Sequence, residues 1–293
     1  MERSQAVVRA VLVARIDSIP PLPHTCTRLL DLDEKKDSFF DELIRVIEHD
    51  PAMVIRLIGM VNSAAFRGAG PVRKLSEAVL RIGASKTRSF LVSVGLAGVF
   101  TPKHASSNAV WLHALTAATL SRTLTSRCYP MEGRPHEAYL LGLLHDVGSF
   151  ILHGVLPDAV TSLETDDEAC IRAELALCGL DHAEIGARAA TRWGFGPHLI
   201  EVLRRHHETA PVAGPVGRDL EILRMADAVA LENSKTPAGL DGDDIDKASP
   251  RIFAVLSKFP AARTRSSPEL LVAAVRDAIA AARLEHAMLL SGS

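Results

Sequence analysis

Five stretches of this chain carry side chains that suit metal chemistry. In order they are His113, His145–Asp146, His182, His206–His207 and Asp227. Imidazole together with carboxylate makes a donor set for borderline divalent ions such as zinc, iron or manganese. Those ions turn water into a nucleophile near neutral pH, so phosphoester hydrolysis is the chemistry such a set would perform.

The surroundings of these residues strengthen the reading. His113 has apolar neighbours in Leu112, Leu115 and Ala117. His145 and Asp146 end a run, Leu140 to Leu144, that is apolar or small at every position and so predicts burial on nearly all sides. Asp227 stands in ILRMADAVALE, again an acid inside an apolar helix. A buried carboxylate needs a partner, because an isolated buried charge is very costly. A metal ion or a neighbouring histidine would supply one.

Each residue taken singly has a plainer explanation. A lone helical histidine is more often hydrogen-bonded or solvent-facing than a ligand. The chain has a second His-Asp pair, His49–Asp50, which reads as a helix boundary before Pro51. His206 and His207 point about 100° apart around a helix, so one of them can face water. His182 follows a capping acid and can sit on a first turn. His24, His104, His136, His153, His198 and His286 lack an acidic helical context and read as structural or solvated. The recurrence of acids within apolar helices carries more weight than any one histidine.

The elements that must position these residues are helices. Phe39, Phe40, Leu43, Ile44, Val46 and Ile47 recur at helical spacing. Asp50-Pro51 places a capping acid before a proline at the first helical position. A helix opened by Ser76 closes at Gly83, and Ser85 opens another to about Phe100. A long helix spans about Asn108 to Arg127. Met131 to Pro135 is a break, and the helix opened by Pro135 reaches His145 and stops at Gly148. Asp166 to Cys178 is amphipathic, Asp181 and Glu184 form a capping arrangement, and Pro197 opens a helix to about His207. Further helices cover about Gly217 to Asn233 and Pro268 to Leu290. Thr101 to Ser107 reads as a boundary, and Ser234 to Ser249 as a linker. The expected fold is all-α.

Composition narrows the function classes. Lys plus Arg number 33 against 35 Asp plus Glu, a balance that provides no basic field for nucleic acid. Arg56, Arg67, Arg73 and Lys74 read as a solvated surface. The longest nearly uncharged apolar stretch, Ser89 to Phe100, is short of the ~20 residues a membrane span needs. Residues 1–17 do not read as a signal peptide. Cys26, Cys128, Cys170 and Cys178 form neither a CxxC pair nor a disulfide framework, and a reducing cytoplasm is expected.

The order H…HD…H…HH…D resembles the HD superfamily of metal-dependent phosphohydrolases. GLLHDVG (Gly142 to Gly148) is similar to its central motif, and DHAEIGA (Asp181 to Ala187) and RRHHE (Arg204 to Glu208) resemble the HD-GYP branch. Upstream, IPPLPHTCTRLLDL (Ile19 to Leu32), EHDPAMVIRLIGMVNSAAF (Glu48 to Phe66) and LSEAVLRIGASKTRSFLVSV (Leu75 to Val94) are similar to the HDOD family, the HD-related output domain. The resemblance covers roughly residues 15–235. It implies an N-terminal helical lobe over 1–104 packed on an HD-like lobe over 105–235, with a linker and C-terminal helix over 236–293.

The resemblance also implies function. The HDOD family is bacterial and serves signal transduction. His113, His145, Asp146 and Asp227 match the basic HD metal set, and His182, His206 and His207 match the additional ligands of the two-metal branch. One or two divalent ions of iron, manganese or zinc are implied. Two departures stand against turnover. Ser149 takes the position where many HD hydrolases carry a lysine that meets phosphate. No GYP follows Glu208; TAPVAG (Thr209 to Gly214) stands there instead. The expectation is a non-enzymatic signalling module with a protein partner, contacting neither nucleic acid nor membrane. The alternative is a phosphohydrolase for a nucleotide or cyclic dinucleotide, with His145 and Asp146 in the catalytic role.

Overall fold

The computed structural model describes residues 2–63, 70–99, 105–156, 167–234, 250–260 and 267–291. These residues are helical, with no strand among them. The chain divides into two compact units. One takes Met1–Ile19 and Lys103–Arg283, the other Pro20–Pro102 and Leu284–Ser293.

The smaller unit holds α2 (His24–Leu30), α3 (Phe39–Glu48), α4 (Pro51–Asn62), α5 (Leu75–Ile82) and α6 (Ala84–Val99). Local signals place most of these ends. The Asp50 side chain accepts from the amides of Ala52 and Met53, and Pro51 takes the first turn of α4. Gly83 closes α5 with φ +94°, a left-handed conformation that favours glycine. Ser85 does not open α6; it lies inside the helix, and its hydroxyl donates to Glu34. Leu29, Leu43, Ile47, Leu57, Val61, Val79 and Leu91 form the buried aliphatic interior.

The larger unit starts with α1 (Glu2–Asp17), a helix absent from the pattern reading. It continues with α7 (Ala105–Cys128), α8 (Pro135–Leu144), α9 (Val147–Val155), α10 (Asp167–Cys178), α11 (His182–Arg192), α12 (Pro197–Arg205), α13 (Gly214–Ser234) and α14 (Pro268–Ser291). A short helical segment over 250–256 precedes α14. One core cluster joins Leu120 and Leu124 of α7, Met225 and Val229 of α13, Ile252 and Leu256, and Leu271, Val275 and Ile279 of α14. This division differs from a partition at 104 and 235 in two places. The first 19 residues join the later part of the chain, and α14 as far as Arg283 belongs to the same core. The reason is apolar periodicity: Leu12 and Ile16 of α1 bury their side chains within this unit, as Leu271, Val275, Ile279 and Ala282 do.

Residues 100–104 and 235–249 lie outside the described residues, and with them most of the boundary and linker read from sequence, as do Ala64 to Phe66 and His104. The apolar stretch Pro135–Val155 has membrane-spanning length, yet most of it is buried inside the fold. It is also two helices, because α8 ends at Leu144 and α9 begins at Val147. The helix expected to stop at Gly148 instead turns at His145–Asp146 and resumes.

Candidate metal centre

The turn between α8 and α9 is where the site begins. His145 follows the last residue of α8, and Asp146 precedes the first of α9. Two glycines of GLLHDVG let backbones close in around it. A methyl at Gly142 would stand 2.6 Å from the Ala117 carbonyl oxygen of α7. A methyl at Gly148 would overlap the His182 carbonyl and stand 2.8 Å from the Gly186 amide of α11. α8 therefore seats against the helix carrying His113, and α9 against the helix carrying His182.

Asp146 lies at the middle, facing a different group with each carboxylate oxygen. Its Oδ2 is 3.5 Å from His113 Nε2 and 3.3 Å from His145 Nε2. Asp227 Oδ1, from α13, completes this set at 3.1 Å from His113 Nε2 and 3.5 Å from His145 Nε2. The two imidazole nitrogens are 3.2 Å apart. Asp146 Oδ1 faces the second set, at 3.4 Å from His182 Nε2 and 3.7 Å from His206 Nε2. His207 Nε2 lies 2.6 Å from His182 Nε2. The structure thus brings together all seven residues singled out from sequence, and the clusters they form have the donor proximity an ion needs.

Do these atoms fit a metal? Donors held about 2.1 Å from one ion lie about 3.0 Å apart along an octahedral edge and about 3.4 Å apart along a tetrahedral one. The first set spans 3.1 to 3.5 Å over its recorded pairs, which matches. The second set, at 2.6 to 3.7 Å, is less even. Protonation points the same way. His145 and His206 both sit just beyond a helix end, where last-turn carbonyls lack partners. His145 Nδ1–H donates to Gly142 O at 2.8 Å, and His206 Nδ1–H donates to Leu203 O at 2.6 Å. In its neutral form each ring then aims an Nε2 lone pair inward, toward carboxylate oxygens that are acceptors too. His206 Nε2 is buried without any hydrogen-bond partner. Acceptors facing acceptors in a largely buried site call for positive charge between them, from a bound ion or from protons on the rings.

The titration behaviour reflects that demand. Burial opposes charge on His145, but Asp146 and Asp227 outweigh it and hold its pKa well above the ordinary range. Burial likewise opposes charge on His182, yet Glu174 and Asp146 lift it to about 9. Burial would raise Asp146, but His145, His206 and His182 hold it well below the usual carboxylate range. Asp227 is similarly depressed against its burial by His113 and His145. His206 is lowered by burial, and His207 is pushed down by burial to about 2. Without an ion, protons on His145 and His182 take the place of positive charge among ionised acids.

One member of the site escaped the sequence reading. Glu174 of α10 is 3% exposed. Its Oε2 accepts from both the backbone amide and Nδ1 of His182, each at 2.8 Å. The available signal was position: Glu174 lies on one helical stripe with Cys170 and Cys178, four residues to either side, and Cys178 is fully buried. His198, read as structural or solvated, pairs with Asp219 at 2.8 Å, away from the seven.

The HDOD domain family model matches residues 19–209. The chain belongs to the HDOD family. The match spans most of the smaller unit and all of the candidate donors except Asp227. This HDOD chain is 29% identical over 202 residues to an uncharacterised protein of Treponema pallidum (strain Nichols). That alignment takes 68% of this chain and 39% of the relative, so this chain spans well under half of the relative's length. A candidate phosphohydrolase of Shewanella amazonensis SB2B is similar in structure, with a TM-score of 0.65 at 24% identity, covering 97% of this chain and 98% of that one. A candidate signal transduction protein of Marinobacter aquaeolei VT8 reaches a TM-score of 0.70 at 21% identity, covering 99% and 66%. At these identities the structural likeness speaks to the fold.

Proposed function

We propose that this HDOD chain is a metal-bearing regulatory module of bacterial signal transduction. His113, His145, Asp227 and one oxygen of Asp146 hold one divalent ion. His182, His206, His207 and the other oxygen of Asp146 hold a second. Iron, manganese and zinc all suit this mixture of imidazole and carboxylate. The observation that carries the proposal is the division of donors between the two oxygens of a single buried carboxylate. A purely mechanical helix bundle has no use for buried acids and histidines of this kind, which cost stability unless something binds them.

Regulation rather than turnover is favoured by what surrounds the donors. When bound, such ions would polarise a phosphoester and activate water. The protein's own share of that reaction would be a cation placed to meet phosphate, and the position after Gly148 supplies none. Among the described residues the recorded ion pairs of the seven side chains are with one another and with Glu174, and Ser149, buried at 6% exposure, takes the position after Gly148. The nearby arginines are engaged elsewhere: Arg224 donates to the carbonyls of Arg205 and His206, and Arg205 pairs with Glu201 and Glu208. The module then acts through an unidentified signalling protein in the cytoplasm, where its four cysteines stay free. Contact with nucleic acid or membrane forms no part of the reading.

A phosphohydrolase for a nucleotide or cyclic dinucleotide is the second reading, favoured by the same bridging arrangement of Asp146. Two measurements test the pair. Elemental analysis of protein purified without chelator should give close to two ions per chain, and none for Asp146→Ala. A wild type free of metal after loading with manganese sinks both readings. A phosphodiesterase assay with added manganese or iron(II) should give one background rate for wild type and Asp146→Ala. A metal-dependent rate lost in the variant selects the hydrolase instead.

A further inference from the structure

Glu174 distinguishes the two donor sets. An imidazole ring has its nitrogens on opposite sides, so Glu174, bonded to His182 Nδ1, is separated by the ring from Asp146 and His207, which face Nε2. Glu174 is thus not a ligand of an ion held on the Nε2 side of His182. The outer nitrogens of His145 and His206 meet neutral backbone carbonyls, whereas that of His182 meets a carboxylate. The first set also has a carboxylate of its own, Asp227, beside one oxygen of the shared Asp146, while the second has only the other oxygen of Asp146 with three imidazoles. The second position is therefore poorer in negative charge and less regular in spacing.

Building on the metal centre proposed above, we infer that Glu174 is a positioning residue that makes the second ion position competent. It fixes the His182 ring twice over, through Nδ1 and through the backbone amide at the start of α11. It keeps the proton on Nδ1 so that Nε2 is free to bind, and it lends negative charge through the ring. Its other oxygen lies 3.6 Å from the half-buried thiol of Cys170, which donates to it from one helical turn away. Loss of such an outer carboxylate typically costs ten- to a hundredfold in metal affinity.

The test compares full-length wild type with Glu174→Gln and Cys170→Ala by equilibrium dialysis against manganese(II) alone, with electron paramagnetic resonance of the loaded protein. Glutamine keeps an acceptor for one N–H but removes the charge. The expected result is two ions and a spin-coupled manganese pair in wild type and in Cys170→Ala. Glu174→Gln should retain one tight ion, bind the second ten- to a hundredfold more weakly, and show the signal of isolated manganese. Unchanged binding of both ions by Glu174→Gln overturns the assignment while leaving the metal centre standing. Loss of both ions together, or of the fold by circular dichroism, also overturns it, because Glu174 would then support the bundle rather than one imidazole. A wild type that binds no manganese removes the centre itself, and this role with it.

Discussion

Replacing Gly148 with alanine isolates the geometry of the centre from its chemistry, since glycine donates nothing to a metal. A methyl there would overlap the His182 carbonyl oxygen and stand 2.7 Å from its carbon and 2.8 Å from the Gly186 amide, all backbone atoms that cannot rotate away. Carbon atoms in good contact sit about 3.5 Å apart, so the carbon contact alone asks α9 and α11 to separate by about 0.8 Å, and the overlapping carbonyl oxygen asks for more. Overpacking of this kind costs about 1–3 kcal/mol. In a unit of this size each kcal/mol lowers Tm by about 2–4 °C. The displacement lies between Asp146, two residues before Gly148, and His182, whose Nε2 is 3.4 Å from Asp146 Oδ1. Metal–ligand distances tolerate only about ±0.2 Å, so the pair would no longer share an ion. The expected outcome is a folded Gly148→Ala protein with a lower Tm that keeps the ion of His113, His145 and Asp227 and loses the other. Calorimetry and elemental analysis read both quantities. A variant with unchanged Tm and full metal content refutes the close approach on which the site's construction depends.

Two other predictions address charge and the smaller unit. In chelated protein, His182 titrates at about 9 against an ordinary 6.5, so the stability it adds is complete below about pH 6.5 and is lost as pH rises toward 9. His207, pushed down to about 2, adds stability that is present above 6.5 and lost as pH falls below it. Ion-free protein should therefore melt highest near pH 6.5, while manganese uptake strengthens with pH because the ion displaces the His182 proton; a Tm that climbs steadily from pH 6.5 to 9 under chelator contradicts the assignment. In the smaller unit, Asp50→Ala removes acceptors for the Ala52 and Met53 amides and for the Thr25 hydroxyl at 2.7 Å. It should cost about 1–2 kcal/mol in denaturant titration with metal content unchanged.

Much of this protein is written locally in its chain. Proline and capping acids set helix starts at Asp50-Pro51, Pro135, Asp181 and Pro197, and the observed helices begin at those positions. Acids set inside apolar helices exposed Asp146 and Asp227 as groups in need of partners, and the order of histidines and acids carried the family. Other features depended on contacts between distant segments. Helix α1 is placed by packing in the larger unit, which no pattern within residues 1–19 announces. The turn at His145–Asp146 passes for a continuous helix in sequence, because nothing local marks that the chain must bend to aim both side chains inward. Glu174 looks like an ordinary acid of an amphipathic helix until α11 brings the His182 ring against it. Residue type and spacing can specify which groups are able to bind an ion. Whether they share one interior point is settled by how closely the helices approach, and at Gly142 and Gly148 that approach is backbone against backbone.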